Sequence, residues 1–398
     1  HSYVGVVVQE QSFDIVALDW ESKPVAVQKV TVDIVERKWY SVQEQDANGR
    51  VTWTSGVEEI PVIQFEEVVV DAQGKATVKF TPPNGGVFRA RVSLIDGAGN
   101  TASASAFMWV TGEDYIPWRQ TNDHSFDLIT DRKNYSPGDT AEILIASPFE
   151  GQAYALVTVE RGRIHYQDVV LLTNNSTVSK LPLTGSMAPN VYISVLIIKG
   201  VDEKNIRPNF KMGFTEIGVD TSQQTLKVEL TPDRTQAGPG EMVQYTVRTL
   251  DSNGKPVRAE VSLSLSDLAT LSLMPPNSAP ILDYFYSKRN LGVWSSVPLA
   301  FSIEEFNANI QDRMEEGIGG GSGGGKGAGE LGVIEVRQDF PDTAFWDGHV
   351  LTGPNGEATV SVVLPDNLTT WRMEARAFTP DRLQVGQTTL DIISTRPL

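Results

Sequence analysis

The stretch Asp131-Arg-Lys-Asn-Tyr-Ser-Pro-Gly-Asp139 returns as Asp233-Arg-Thr-Gln-Ala-Gly-Pro-Gly-Glu241, so that position 131 maps onto position 233 with a period of 102 residues. In both copies Pro-Gly stands just before an alternating apolar stretch, Glu142 to Ile145 or Val243 to Val247, as a turn does where a chain enters a sheet. A period near 100 residues is the size of one antiparallel β-sandwich. The 398 residues therefore read as a tandem array of all-β sandwiches, immunoglobulin-like in architecture, rather than as one large core.

Other strand signals agree. Thr31–Val35, Ala76–Phe80, Tyr154–Glu160, Glu260–Ser266 and Ala358–Leu364 favour β-branched residues or alternate apolar with polar. Turn signals lie between such stretches at Asp71-Ala-Gln-Gly, Asp96-Gly-Ala-Gly-Asn100, Asp251-Ser-Asn-Gly and Pro354-Asn-Gly. A second echo pairs Asp71-Ala-Gln-Gly-Lys-Ala-Thr-Val78 with Gly353-Pro-Asn-Gly-Glu-Ala-Thr-Val360, each reading as a hairpin that feeds an inner strand. Boundaries fall near 120 and near the polar link Thr221-Ser-Gln-Gln, giving sandwiches at 1–120, 121–222 and 223–398.

The third sandwich is too long for its class, and its strand pattern stops between Leu273 and Phe340. Pro275, Pro276 and Pro280 break regular structure, Leu282 to Trp294 is apolar and mixed, and Ser302 to Glu316 is polar with weak helical periodicity. Then comes Gly317-Ile-Gly-Gly-Gly-Ser-Gly-Gly-Gly-Lys-Gly-Ala-Gly329, whose chain entropy opposes a fixed fold. Strand patterns resume at Phe345–Leu351, so this is a flexible insertion within a sandwich, at about 274–335, rather than a linker between domains.

Composition removes several classes of function. With no cysteine there is no disulfide framework, thiolate metal site or cysteine nucleophile. The net charge of −17 opposes binding to nucleic acid or anionic lipid, and no apolar run is long enough for direct membrane insertion. The four histidines, His1, His124, His165 and His349, lack zinc-site spacing. Asp123-His124 has no Gly-x-Ser-x-Gly elbow and reads as loop. The glycine run lacks the Gly-Lys-Ser/Thr of a phosphate loop. No catalytic, cofactor or metal site is expected, and the chain is not read as an enzyme.

An exposed insertion is where proteases cut, because a substrate strand must be extended to enter a protease cleft. The candidate cleavage residues are Lys288, Arg289, Arg313, Lys326 and Arg337 for trypsin-like enzymes, and Tyr284, Phe285, Phe301, Phe306 and Met314 for chymotrypsin-like ones. Ala300, Ala308, Val297 and Leu331 suit elastase-like ones. Any mixed sequence holds some of these; their siting carries more weight than their diversity.

Beyond the insertion, Val336-Arg-Gln-Asp-Phe-Pro-Asp-Thr-Ala-Phe-Trp346, Gly356-Glu-Ala-Thr-Val360 and Leu364-Pro-Asp-Asn-Leu-Thr-Thr-Trp-Arg372 follow one another in order. They resemble the α2-macroglobulin family. Asp131 to Asp139, Ser147-Pro-Phe149, Val159-Glu-Arg-Gly162 and Val261 to Ala269 resemble the macroglobulin domains of its bacterial members. The resemblance implies two macroglobulin-like sandwiches followed by a bait-region domain. It implies part of a broad-spectrum endopeptidase inhibitor, whose partners are endopeptidases of mixed specificity and the other domains of a parent protein. In the family, cutting the bait triggers a conformational change, and a thioester on a later domain captures the attacker. A Cys-x-Glu-Gln thioester cannot occur without cysteine, so the chain is expected to be a fragment lacking that domain. The resemblance further implies the periplasm or the outer cell surface, with lipid anchoring through a missing N-terminus. The rival is a non-inhibitory adhesive or spacer array, which leaves the Phe340–Trp346 and Leu364–Arg372 patterns without a reason.

Overall fold

The computed structural model describes residues 2–45, 51–95, 99–203, 205, 208–273, 279–294 and 342–396. The described chain is mostly β-strand, paired chiefly antiparallel. β1 (Val4–Val6), β2 (Gln11–Val16), β3 (Val27–Gln45), β4 (Val51–Val70), β5 (Lys75–Phe80), β6 (Gly86–Ile95) and β7 (Thr101–Thr111) build the first sandwich. Its five-stranded sheet runs β1-β7-β6-β3-β4 and faces the pair β2-β5. Alternate residues of the two layers, among them Phe13, Val32, Ile34, Phe80, Phe88 and Met108, meet in one buried core.

The second sandwich comprises β8 (Leu128–Thr130), β9 (Asn134–Tyr135), β10 (Thr140–Ala146), β11 (Ala153–Glu160), β12 (Ile164–Leu172), β13 (Ser176–Pro182), β14 (Asn190–Lys199) and β15 (Asn209–Val219). The third comprises β16 (Lys227–Pro232), β17 (Gln236–Ala237), β18 (Met242–Leu250), β19 (Glu260–Asp267), β20 (Thr343–Leu351), β21 (Glu357–Val363), β22 (Thr370–Phe378) and β23 (Val385–Ser394), with short helices α1 (Leu268–Ser272) and α2 (Ile281–Phe285). The two match strand for strand. Sheets β13-β10-β8 and β12-β11-β14-β15-β9 of the second correspond to β21-β18-β16 and β20-β19-β22-β23-β17 of the third.

The sequence repeat is the seed of this match. Asp131 N donates to Glu142 O at 2.9 Å, and Glu142 N returns to Asp131 Oδ1 at 2.8 Å. Asp233 and Gln244 make the same two bonds at 2.8 and 3.0 Å. The Pro-Gly turn is closed from within by Asp139 in one copy and Glu241 in the other. Gly138 N then reaches Leu183 O, and Gly240 N reaches Leu364 O. Each turn thus couples the entry of one strand to the end of its neighbour, β10 to β13 and β18 to β21, and fixes register. The second echo is equally literal: Gly74 O accepts from Ala17 N and Gly356 O from Thr249 N. Both glycines have positive φ, and a Cβ on either would lie 2.5 Å from a backbone oxygen, so only glycine fits.

The chain forms two compact units: residues 1–221 together with Lys288–Leu291, and residues 222–287 together with 292–398. In the first unit the two sandwiches share a patch of Val4, Val87, Ile116, Trp118, Ile129, Leu144 and Ala146. The connecting segment is also bonded down. Trp118 Nε1 donates to Asn175 O at 2.6 Å, and the Asn175 amide brackets the backbone N and O of Ile116. The buried Lys211 ammonium donates to Thr121 O at 2.9 Å and to Asp123 O. Burial holds its pKa below the usual lysine value.

Two core tyrosines test the packing. Tyr135 OH donates to Asp131 Oδ1 at 2.7 Å. Tyr245 OH, deep in the third core, has no hydrogen-bond partner among the described residues. Both phenols are shifted upward, Tyr135 by burial and by its bond to Asp131, Tyr245 by burial and then by the charge of Asp233. Because the folded value is raised, their contribution is complete below the unfolded phenol value near 10 and is lost as pH rises beyond it. Tyr135→Phe should cost about 1 kcal/mol at neutral pH, whereas Tyr245→Phe should be neutral or slightly stabilising. Each should also flatten the loss of stability above pH 10. Denaturant titrations at pH 7 and 10.5 check both signs. A second expectation concerns Gly356→Ala, which adds a clash to backbone strain and should destabilise by about 1–3 kcal/mol. Gly254→Ala, also at positive φ but with nothing within 4 Å of the added carbon, should cost less in the same titration.

Candidate functional site: the insertion and its docked stem

In the second sandwich β11 and β12 are joined by Arg161-Gly162-Arg163, closed by Arg161 N to Arg163 O at 2.9 Å. In the third, the corresponding strands β19 and β20 pair antiparallel from Glu260–Leu351 to Ser266–Thr343. Residues 268–342 take the place of that three-residue turn. Closure entropy rises only logarithmically with length, so the longer loop costs about 3 kcal/mol more. A sandwich with a ladder on both sides of the loop can carry that.

The feet of the insertion are fastened. Asp267 N donates to Asp342 O at 2.9 Å, below the last strand pair. Asp267 Oδ1 caps α1 by accepting from Ala269 N at 2.8 Å and also accepts from Thr369 Oγ1 at 2.9 Å. Thr270 Oγ1 reaches Asp342 Oδ1 at 3.2 Å. Further along, α2 lies against β23 and the turn before it. Ile281 N donates to Gln387 Oε1 at 2.8 Å and Tyr286 OH to Leu383 O. Tyr284 and Phe285 are 71% and 48% exposed, but their peptide groups are wound into α2, where Tyr284 N bonds Pro280 O.

Lys288–Leu291 forms part of the first compact unit. Its receptor is the face of β14 and β15 that carries Asn190, Tyr192 and Glu216, with Tyr192 directly opposite Glu216. The Asn190 side chain brackets Arg289: Arg289 N donates to Asn190 Oδ1 at 2.9 Å, and Asn190 Nδ2 donates to Arg289 O at 2.9 Å. Tyr192 OH donates to the same carbonyl at 3.1 Å. Lys288 Nζ lies 2.8 Å from Glu216 Oε2, and this bond raises the lysine pKa. Gly162, in the tight turn of the second sandwich, donates its N–H to Leu291 O at 2.6 Å. Like charge works the other way. Arg161 is held below the usual arginine value by burial first and then by the charges of Arg289 and Arg163.

Of the cleavage candidates, the structure thus places Tyr284 and Phe285 on α2 and Lys288 and Arg289 in the docked stem. Phe301, Phe306, Arg313, Met314, Lys326 and Arg337 lie outside the described residues. The receptor residues Asn190, Tyr192 and Glu216 carry no sequence signal, because such residues are ordinary on strands, and Gly162 entered only as the end of the Val159-Glu-Arg-Gly162 stretch. The open hollow of about 340 Å³ beside the stem is lined by Lys133, Glu216 and Lys288 among others and lacks apolar enclosure. Among the described residues no group of three His, Asp or Glu side chains could hold a metal. His124 stacks on Phe210 with ring centroids 4.4 Å apart, and His349 Nδ1 lies 2.9 Å from Glu260 Oε1.

Comparison with known proteins brackets the insertion. Residues 126–273 match the alpha-2-macroglobulin bait region domain, and residues 343–398 match the alpha-2-macroglobulin family. An alpha-2-macroglobulin homolog of Nostoc sp. is 27% identical over 395 residues, covering 97% of this chain and 20% of the relative. An alpha-2-macroglobulin of Ralstonia nicotianae is 29% identical over 344 residues, covering 82% of this chain and 20% of the relative. The chain therefore spans about a fifth of the length of these relatives. A cryo-EM structure of Escherichia coli alpha-2-macroglobulin in its native conformation covers 99% of this chain and 24% of its own, at 16% identity and a TM-score of 0.38. Two family matches stop at the feet of one insertion, and relatives align across nearly the whole sequence: the chain belongs to the alpha-2-macroglobulin family.

Proposed function

We propose that this chain is the protease-sensing part of a broad-spectrum endopeptidase inhibitor, and that residues 268–342 hold the bait a target protease cuts. Family members are protease inhibitors and not enzymes, and the bait-region match implies an encounter with proteases. The observation that carries the reading is the siting of the insertion: it joins two strands that pair with each other and that need only three residues to connect. A cut there changes the covalent path and leaves the frame standing. β18 still pairs β21, β19 still pairs β20 and β22, and β17 still pairs β23 across the break.

The cleaved chain thus signals by releasing two loop ends, not by unfolding. Domains of the parent protein outside this chain would convert that release into conformational change and capture of the protease. Arg313, Lys326 and Arg337 offer trypsin-like sites, and Phe301, Phe306 and Met314 chymotrypsin-like ones. Tyr284 and Phe285 become substrates only after α2 unwinds, since a protease binds its substrate extended. Work against foreign proteases suits the periplasm or the outer cell surface, and we assign the parent protein there.

Limited digestion with trypsin, chymotrypsin and elastase, read by mass spectrometry, tests this. All three should nick first between 292 and 341, and native mass measurement should find both fragments still together. First cuts at the connections near 120 and 222 would favour a plain adhesive or spacer array. Fragments that separate on cutting would refute the standing frame.

A further inference from the structure

We propose that Lys288–Leu291 is a docked stem that withholds the basic pair Lys288-Arg289 from trypsin-like proteases and so sets where the cleavable part of the insertion begins. This rests on the bait reading above and sharpens its specificity. By sequence, Lys288-Arg289 is the most inviting trypsin-like site in the insertion, two basic residues in succession. The structure engages the groups a protease would need. A serine protease must polarise the carbonyl of the residue it cuts after, aligning the substrate backbone in its cleft. Arg289 O already accepts from Asn190 Nδ2 and Tyr192 OH, and Arg289 N already donates to Asn190 Oδ1. The Lys288 ammonium, which would enter a specificity pocket, is held by Glu216. Two residues on, Leu291 O accepts from Gly162 N.

The receptor is rigid where it matters. Asn190 is 3% exposed, its side chain also donates to Glu216 Oε1 at 3.2 Å, and its strand is paired on both sides. Gly162 belongs to the second sandwich's own β11–β12 turn, the position whose counterpart in the third sandwich became the insertion. To be cut after Lys288 or Arg289, the stem must first leave this face. Cleavage there is slowed by the equilibrium constant for that opening.

The test compares positions within one chain. On brief trypsin digestion of the wild type, cuts after Arg313, Lys326 and Arg337 should outpace those after Lys288 and Arg289 by about tenfold or more. Asn190→Ala should erase most of that difference by accelerating the two stem cuts alone. Tyr192→Phe combined with Glu216→Gln, which keeps side-chain shapes, should do the same in smaller measure and serves if Asn190→Ala does not fold. Independently, hydrogen exchange should find the Arg289 and Gly162 amides protected in the intact chain and the Arg289 amide deprotected in Asn190→Ala. Stem cuts as fast as the others in the wild type, or variants that leave the ratio unchanged, would overturn the proposal. The two readings fail separately. First cuts near 120 and 222 with a protected Arg289 amide would remove the bait and keep the dock, whereas first cuts at 292–341 with unprotected amides would do the reverse.

Discussion

The β19–β20 ladder is the constraint on which the functional reading turns. Antiparallel neighbours can be joined by two or three residues, and the second sandwich uses three at the equivalent place. Once the ladder closes on its own residue pairs and on the Asp267–Asp342 bond below them, the connection is not needed to hold the two strands together. Insertion length is then weakly penalised, and composition can answer to proteases rather than to packing. β20 is also an edge strand, so the insertion lies at the margin of its sheet. Polar Asp347 and His349 and two register shifts blunt that edge against pairing with another chain.

Repetition explains why such an insertion is affordable. The Asp–Pro-Gly turn of the second sandwich and its copy in the third each tie the turn backbone to an entering strand and to a carbonyl just past the end of that strand's neighbour in the same sheet. Register is therefore set by bonds that none of the described insertion residues makes, although the turn lies at the same end of the sheet as the β19–β20 connection, with Ala237 beside Ser394, Ile393 beside Thr370 and Trp371 beside Asp267. Trp371 and Tyr245 are fully buried in the third core, a cluster built from β16 to β23 and their flanking residues, with no member from 268–342 among the described residues. The frame's stability and the insertion's fate are thus separable quantities.

Much of this was legible in the sequence because it was written in local chemistry. Pro-Gly before an alternating strand, Asp-x-x-Gly turns and β-branched runs each act over a few residues, and Thr31–Val35, Ala76–Phe80, Tyr154–Glu160 and Glu260–Ser266 all lie within strands. The insertion showed itself by the break in that pattern. The short helices did not, since five residues of α1 or α2 fall below any periodicity signal, and their stability comes from Asp267 and from contacts to β23. The stem was illegible for a different reason. Lys288 and Arg289 look like cleavage sites by residue type, and what restrains them is a face formed by Asn190 and Tyr192, 99 and 97 residues from Arg289 along the chain, and by the nearer Glu216.

A sensor of cleavage needs contrast between what is cut and what survives, and the docked stem shows how finely that contrast can be graded. The frame resists because opening it would break many ladder bonds at once. The stem rests on the Asn190 bracket, single bonds from Tyr192 and Gly162, and one ion pair, each worth on the order of 1 kcal/mol or less net of water, and the like charges of Arg161 and Arg289 work against them. It therefore belongs to the least stable class of structure that is still structured. A dock of that strength delays cleavage without forbidding it, because the stem is open to a protease only for the fraction of time it has left its face.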